Sequence, residues 1–177
     1  MPAPSSARRT AAAPTSPEPA TETHESAARV LRRFRIVFNA VKTHFQQVER
    51  SAGLGGAQLW ALQELREAPG LRVGELANRM ALHQSTTSNM VDRLETSGLI
   101  RKERTSADQR VVRLHLTDDG LALLSRAPSP ARGVLPEALR LMDDEGLASL
   151  QSELEKLLRQ IKNLDEGFGM QPLPFTE

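Results

Sequence analysis

Cysteine and tyrosine are absent from this sequence of 177 residues, and its aromatic side chains are five phenylalanines and Trp60. Without cysteine there is no disulfide framework, thiolate zinc site, iron–sulfur cluster or thiol redox sensor. The small aromatic content argues against a platform on which single-stranded nucleic acid would stack. No apolar run reaches membrane-spanning length. We therefore expect a cytoplasmic protein with no membrane partner, built as one domain or at most two small ones.

Net charge is nearly absent as well, at +1, but it is unevenly distributed. Residues 27–50 carry six basic side chains and one acidic one, and residues 70–116 carry eight basic and five acidic ones. Residues 117–166 carry ten acidic and six basic side chains. A basic half and an acidic half therefore cancel, and the total hides a region suited to binding phosphate.

The two ends of the sequence are expected to be loose. Proline, alanine, serine and threonine make up 19 of the 26 residues from 1 to 26. Such a composition cannot bury enough apolar surface to offset the entropy of ordering the chain. We predict a disordered tail at 1–26 and a second loose end at 167–177, which contains Pro172 and Pro174.

Between these ends, apolar residues recur every three to four positions, which is the period of an amphipathic helix. Thr117 is placed to cap one such helix, and Pro128 and Pro130 should end or kink it. The other helices are predicted at about 27–50, 57–67, 73–80, 85–97 and 144–164.

The pattern changes to alternation in two runs that contain β-branched residues, 99–104 and 110–116. The segment TSADQ separates the two runs, so they predict a β-hairpin. Gly98 precedes the hairpin and is placed as the left-handed C-terminal cap of the helix before it. The expected fold is mainly α-helical with a small β-hairpin wing.

Apolar residues in the middle of the chain have the spacing of a helix-turn-helix motif. Ala77 is small enough to let two helices approach closely, and the other apolar residues fill their inner faces. Ala81 occupies the turn, where many such motifs have glycine. The skeleton consists of Val73, Leu76, Ala77, Met80, Leu82, Thr87 and Met90.

The second helix of this motif has a short, polar outer face. In a recognition helix such side chains reach base edges in the major groove, where asparagine pairs with adenine and arginine with guanine. Serine and threonine hydroxyls and the helix N-terminus suit phosphates. An ordinary exposed face has the same composition, so the interpretation depends on the basic hairpin beside it. The residues assigned to DNA are Ser85, Thr86, Ser88, Asn89 and Arg93.

The hairpin region 99–116 carries five basic side chains against two acidic ones. Arg110, close to the tip, suits the narrow minor groove, where negative potential is concentrated. Asp108, two residues earlier, could accept its guanidinium and hold it in position. A solubilising loop is the alternative interpretation. The remaining basic residues, Arg101, Lys102, Arg104 and Arg113, are predicted phosphate contacts.

The segment QSTTSNMVDRLETSGLIRKERTSADQRVVRLHLTDDG resembles the signature of the MarR-type winged helix-turn-helix transcription factors. The similarity lies in the recognition helix, a Leu-x-x-x-Gly-Leu run, an arginine-rich strand, the Asp-x-Arg wing of Asp108 and Arg110, and Leu-Thr-x-x-Gly. It extends over roughly 27–164. The resemblance implies a homodimer that binds a pseudopalindromic operator in double-stranded DNA and is released by a small ligand, often a phenolic or aromatic carboxylate. The APSP stretch at 127–130 departs from the family's usual long helix.

The first and last helices also carry more apolar surface than one small lobe can cover, and helix-turn-helix proteins usually bind paired half-sites. We therefore assign 27–56 and 117–166 to dimerisation, and 57–116 to the winged helix-turn-helix region. The proline break at Pro128 and Pro130 leaves the dimer geometry open.

A pocket for the small-molecule effector, whose identity the sequence does not give, is placed at His44 and Trp60, with core packing as the equal alternative for both residues. Metal binding has little support, because the histidines lack the close spacing of a zinc site. No nucleotide cradle or catalytic constellation can be placed, so we expect neither a cofactor nor enzyme activity. The histidines are His24, His44, His83 and His115.

These observations favour a sequence-specific, ligand-responsive DNA-binding regulator, with repression as its expected mode. Two alternatives stay open. One is a winged-helix module that binds a protein and uses its basic face only for orientation. The other is a metal-responsive regulator.

Overall fold

The computed structural model describes residues 19–105 and 108–173, and the side chains of residues 23–104 and 111–173 within them. The chain divides into two units between Ile36 and Val37. The mainly helical fold with one antiparallel hairpin confirms the predicted fold class. Its elements are α1 (Pro19–Ala52), α2 (Gly56–Glu67), α3 (Val73–Met80), α4 (Gln84–Thr96), β1 (Ile100–Thr105), β2 (Asp108–Leu116), α5 (Asp118–Arg126), α6 (Val134–Arg140), α7 (Asp144–Leu158) and a 3-10 helix, η1 (Glu166–Met170).

Helix α1 begins earlier than the sequence pattern predicted. The tail was expected to reach residue 26, whereas the helix starts at Pro19. Proline is well accommodated in the first turn of a helix. The apolar period that located the helix begins only at Val30, so it gave a late start.

The C-terminal part also differs from the prediction. The last long helix ends at Leu158 rather than near residue 164, and the expected loose end contains η1. The Asp165 carboxylate caps η1 by accepting a hydrogen bond of 2.9 Å from the Gly167 backbone N–H. A separate short helix, α6, fills the interval after the proline break.

The core of the second unit gathers around α2, whose inner leucines are fully buried. Helices α3 and α4, strand β2 and helix α5 each bring apolar side chains to it. The main contributors are Leu59, Leu62, Leu65, Leu76, Met80, Leu94, Leu114 and Leu124.

The turn between α3 and α4 is made by Ala81, which adopts the left-handed conformation with φ 52° and ψ 44°. An alanine thus does what glycine does in many helix-turn-helix motifs, at the steric cost of its Cβ. The Leu82 N–H closes the turn by donating to the Ala77 carbonyl at 3.0 Å. The predicted helix-turn-helix is present with this departure built in.

The hairpin register pairs Ile100 with Leu116 and Lys102 with Leu114. Leu71, which precedes α3, adds a short antiparallel bridge to Leu114. The wing is therefore joined to the helix-turn-helix on one side through Leu71.

The start of α5 is fixed by a close approach to the chain just before the wing. Thr117 caps α5 by accepting from the Gly120 N–H at 3.1 Å, and its hydroxyl donates to the Gly98 carbonyl at 2.7 Å. A Cβ at position 120 would overlap the backbone carbonyl of Leu99. The glycine of the Leu-Thr-x-x-Gly run is therefore required by packing.

Within the described residues, no helix combines the length and the apolar character that crossing a membrane requires.

Candidate DNA interface

Helix α4 presents two chemically distinct faces. Thr87, Met90, Val91 and Leu94 are buried against the core, as their spacing predicted. The Thr87 hydroxyl donates to the His83 carbonyl at 3.1 Å, so this buried polar group has a hydrogen-bond partner inside the protein. The outer face carries the residues assigned to DNA: Ser85, Asn89 and Arg93 are exposed, and Thr86 and Ser88 are half-buried.

Lys102 of β1 ties the wing to the recognition helix. Its Nζ lies 2.5 Å from Oδ1 of Asp92 and 2.7 Å from Oε2 of Glu95, both on α4. Hydrogen bonds to these two carboxylates raise the pKa of Lys102. Lys102, predicted as a phosphate contact, is ion-paired in this structure and holds the hairpin against α4.

The other basic residues of the wing lie on different faces of the ribbon. Arg101 donates to Glu103 at 2.7 Å and to the Leu116 carbonyl at 3.2 Å. Arg113 donates to the Gly70 carbonyl at 3.0 Å, so it stabilises the junction between α2 and α3. Arg104 is exposed and has no ion pair recorded among the described side chains.

The predicted pairing of Asp108 with Arg110 lies outside the described side chains. The backbone places both residues at the start of β2, with Asp108 opposite Thr105. The register shifts between Arg104 and Thr105, which marks an irregularity next to the turn.

An ionic cluster centred on the buried Glu64 joins α2 to α3, and sequence reasoning missed it. Glu64 of α2 is almost fully buried and accepts from Arg79 of α3 at 2.7 Å, from Arg132 at 2.7 Å and from Trp60 Nε1 at 2.9 Å. Arg132 also donates to Glu67, one turn further along α2. The available signal was two glutamates three positions apart on one helix, Glu64 and Glu67.

These hydrogen bonds decide the ionisation of the cluster. Burial by itself raises the pKa of Glu64, but the hydrogen bonds from Arg79, Arg132 and Trp60 outweigh it and hold the pKa below its ordinary value. A hydrogen bond from Arg132 is the main reason that the pKa of Glu67 is also lowered. Both carboxylates are therefore anionic at neutral pH, and the guanidinium groups bridge α2 to α3 and to the segment after α5.

His44 and Trp60, the residues proposed for an effector pocket, make different contacts. Trp60 donates its indole N–H to the Glu64 carboxylate. His44 is buried edge-to-face with Phe45, and its Nε2 has no hydrogen-bond partner among the described residues. Burial lowers the pKa of His44, and a hydrogen bond with the Pro130 backbone partly opposes that shift.

A cavity of about 330 Å³ lies beside the proline segment, and its lining includes neither His44 nor Trp60. Gln63 contributes to the wall together with Arg66 and Arg132, and its buried Oε1 has no hydrogen-bond partner in the part of the chain that the structure describes. The other lining residues are Leu124, Ser125, Ala127, Pro128, Ser129, Pro130, Ala131 and Glu137.

The segment after α7 reaches the recognition helix. The Met170 carbonyl accepts a hydrogen bond of 2.9 Å from the backbone N–H of His83, the residue immediately before α4. Pro172 lines a cavity of about 240 Å³ with Asn89 and Arg93. This contact could not be predicted from the sequence, because 167–177 lacks a regular period.

Among the side chains that the structure describes, no group of three or more histidine or acidic residues could hold a metal ion.

Comparison with known proteins gives three kinds of similarity. A model of the MarR family matches residues 56–112. The transcriptional repressor MdtR of Bacillus subtilis is 27% identical over 136 residues, which cover 77% of this chain and 87% of that protein. The organic hydroperoxide resistance transcriptional regulator of the same organism is 33% identical over 104 residues, which cover 59% of this chain and 69% of the relative.

Solved structures show the same architecture. The MarR family regulator Sco3205 of Streptomyces coelicolor, crystallised in complex with DNA, is 26% identical and superposes with a TM-score of 0.52. The alignment covers 85% of this chain and 95% of that one.

Proposed function

This chain belongs to the MarR family and is a DNA-binding transcriptional regulator, and from that membership we propose that it is a homodimeric repressor released from its operator by a small ligand. The observation that most supports DNA binding is the exposed polar face of α4 beside a basic hairpin. Repression is supported by the similarity to MdtR, which is a transcriptional repressor.

DNA recognition uses α4 in the major groove of each half-site. Asn89 and Arg93 are exposed on its outer face, and both can read base edges through paired hydrogen bonds. Arg104 supplies an exposed positive charge on the wing for the phosphate backbone. The ion pairs of Lys102 keep α4 and the wing in one orientation, so both elements engage the same duplex together.

Dimerisation uses the apolar surfaces of the terminal helices. Against the residues that the structure describes, helix α7 has no buried residue, although leucines run along it. In α1, Val30, Leu31 and Phe38 are each half exposed or more. Apolar exposure of this extent marks an interaction site, and a two-fold pairing would also set two recognition helices about one DNA turn apart. The exposed residues at the C-terminal side are Leu150, Leu154, Leu157, Leu158, Ile161 and Leu164.

The effector binds in the 330 Å³ cavity beside Pro130. That volume is at the lower end for small-molecule sites, so it suits a ligand the size of a simple aromatic acid. The Arg66 guanidinium is available for a carboxylate, and Gln63 Oε1 is available to a phenolic hydroxyl. Because Arg132 lines the cavity and also contacts Glu64, a ligand there would act on the cluster that holds α3.

Binding to duplexes from the chain's own upstream region tests the DNA assignment, with fluorescence anisotropy as the readout. Affinity should fall steeply between about 50 and 200 mM salt. Asn89→Ala and Arg93→Ala should each lose about 1–3 kcal/mol of binding to the cognate site. Arg126→Ala, an exposed arginine at the end of α5, serves as the control and should change affinity little. Absence of salt-dependent binding to any such duplex would refute the assignment.

Light scattering tests the dimer, which should have twice the 19.5 kDa chain mass. Leu154→Glu places a charge in the proposed interface and should shift the protein toward monomer. Gln84→Glu, which adds the same charge at an exposed position of α4 outside both regions assigned to dimerisation, is the control and should leave the mass unchanged. A wild-type monomer at micromolar concentration would contradict the dimer.

A thermal-shift screen with small aromatic acids, followed by operator binding, tests the effector. A ligand that binds the cavity should raise the melting temperature and weaken DNA binding, because coupling between two sites is reciprocal. Arg66→Met should abolish both effects. Stabilisation without any change in DNA affinity would count against release by the ligand.

A further inference from the structure

The segment from Asp165 to Leu173, here called the capping segment, lies against the face of the recognition helix that the proposed function assigns to DNA. Its fold is local and defined: Asp165 caps η1, and the Gln171 N–H donates to the Phe168 carbonyl at 3.2 Å. Its position brings a backbone carbonyl and two side chains to the DNA-reading surface.

The backbone contact lies at the N-terminus of α4. The Met170 carbonyl accepts the His83 N–H at 2.9 Å, and His83 immediately precedes the first turn of the helix. Backbone N–H groups at helix N-termini are common phosphate contacts in protein–DNA complexes. A carbonyl oxygen of the same chain therefore takes a donor at the point where a duplex phosphate would bind.

The side chains of Met170 and Pro172 each line a cavity at the DNA-reading face. Met170 lines a cavity of about 650 Å³ between the helix-turn-helix and β2, with Arg72 and Val112 among its walls. Pro172 lines the 240 Å³ cavity at Thr86, Asn89 and Arg93. A duplex that seats α4 in its major groove would have to pass through the volume held by these two residues.

The charge of the capping segment fits the same surface. It carries Asp165 and Glu166 and no basic residue, whereas the reading surface belongs to the basic half of the chain. An acidic segment held beside a phosphate-binding surface is attracted to it as a duplex would be.

We propose that the capping segment covers the DNA-reading face of its own chain and must leave that face before operator DNA can bind, an inference that rests on the proposed function. The contact is small, so it sets the fraction of molecules competent to bind rather than blocking DNA completely. If the uncovered form is about one tenth of the population, the apparent dissociation constant is about tenfold weaker than that of an uncovered chain.

Operator affinity of four chains tests the proposal. A chain that ends at Leu164 should bind about tenfold more tightly than the full chain, and Met170→Ala combined with Pro172→Ala should give part of that gain. Phe168→Ala is the matched control within the segment, because this side chain is 67% exposed. Equal affinity of the full and shortened chains, with both folded by thermal unfolding, would overturn the proposal.

A charge control separates covering of the DNA-reading face from repulsion between the acidic segment and DNA. Asp165→Asn combined with Glu166→Gln keeps the N-terminal cap of η1, since asparagine also caps helices, but removes both charges. It should leave most of the difference between the full and shortened chains in place. If it reproduces the whole gain, charge alone explains the effect and the covering proposal fails.

Amide hydrogen exchange at His83 reports the contact without DNA. The His83 N–H should be protected in the full chain and should exchange faster in the chain that ends at Leu164. Equal exchange in both chains would overturn the contact, and protection that disappears on dilution would assign the segment to a second copy and overturn covering within one chain. Protection in the full chain alone, with no DNA binding by either chain, would support the contact and contradict the proposed function instead.

Discussion

The guanidinium Nε of Arg132 lies 2.7 Å from the Glu64 carboxylate, although the two residues are 68 positions apart. Arg79 holds the second oxygen of the same carboxylate at the same distance. Helices α2 and α3 and the segment after the proline break therefore meet at one buried anion. Removing one member of a buried ion pair leaves the others uncompensated, which costs more than the loss of an exposed pair.

Glu64→Gln should lower the free energy of unfolding by about 3 kcal/mol, because two guanidinium groups lose their shared buried counter-charge. Urea denaturation at pH 7 measures the change. Glu153→Gln removes an exposed carboxylate that pairs with Lys156 at 2.6 Å, and should cost no more than about 0.5 kcal/mol. Equal losses of unfolding free energy in the two variants would show that the Glu64 cluster stabilises the fold no more than an exposed ion pair does.

Gly120→Ala should destabilise the fold by about 3 kcal/mol, because the new methyl group would overlap the Leu99 backbone carbonyl and the chain would have to move. Gly74→Ala makes the same chemical change in α3, where the nearest atom is the Gln84 side chain at 3.6 Å. That control should be neutral or stabilising, since alanine favours a helix over glycine by about 0.5–1 kcal/mol. Thermal unfolding compares them, and a tolerated Gly120→Ala would contradict the packing account.

Ala81→Gly should stabilise the protein by about 1 kcal/mol, because glycine has no Cβ to oppose the left-handed conformation observed at this turn. Ala122→Gly within α5 is the matched control and should destabilise by about 0.5–1 kcal/mol. Chemical denaturation of both variants gives the two signs. A destabilising Ala81→Gly would mean that the alanine side chain makes contacts worth more than its strain.

Stability should fall as the pH is lowered from 7 to 5, in part because of His44. Burial lowers the pKa of His44 in the folded chain, so the unfolded chain takes up the proton first as the pH falls below about 6.5. The contribution is therefore present above that pH and lost below it. His44→Leu, which cannot titrate, should flatten the dependence of the unfolding free energy on pH. Parallel curves for the two proteins would remove His44 from the effect.

Much of the helix-turn-helix could be predicted because its information is local. The inner residues of α4 follow from a single period, and Gly98 adopts the positive φ that its place before the hairpin indicated. The start of α1 was placed late because Pro19 and the polar residues after it have helical dihedrals without an apolar stripe.

The contacts that cross the fold could not be predicted in the same way. Nothing in the hairpin sequence shows that Lys102 meets Asp92 and Glu95 instead of solvent. The partner of Glu64 follows a proline stretch that reads as a break, and the contact of Met170 with His83 depends on the path of the chain after α7. Such pairings depend on tertiary geometry, which residue spacing does not encode.

The position of Arg132 has a consequence for how the chain can be divided. The region that matches the family model, 56–112, contains Glu64, Glu67 and Arg79 but stops well before Arg132. A fragment cut to that region would keep the buried Glu64 carboxylate in its interior with one of its two guanidinium partners missing. The cooperative folding unit is therefore longer than the region that matches the family model. Moving the helix-turn-helix and wing onto another scaffold requires the proline segment, as far as Arg132, to be included.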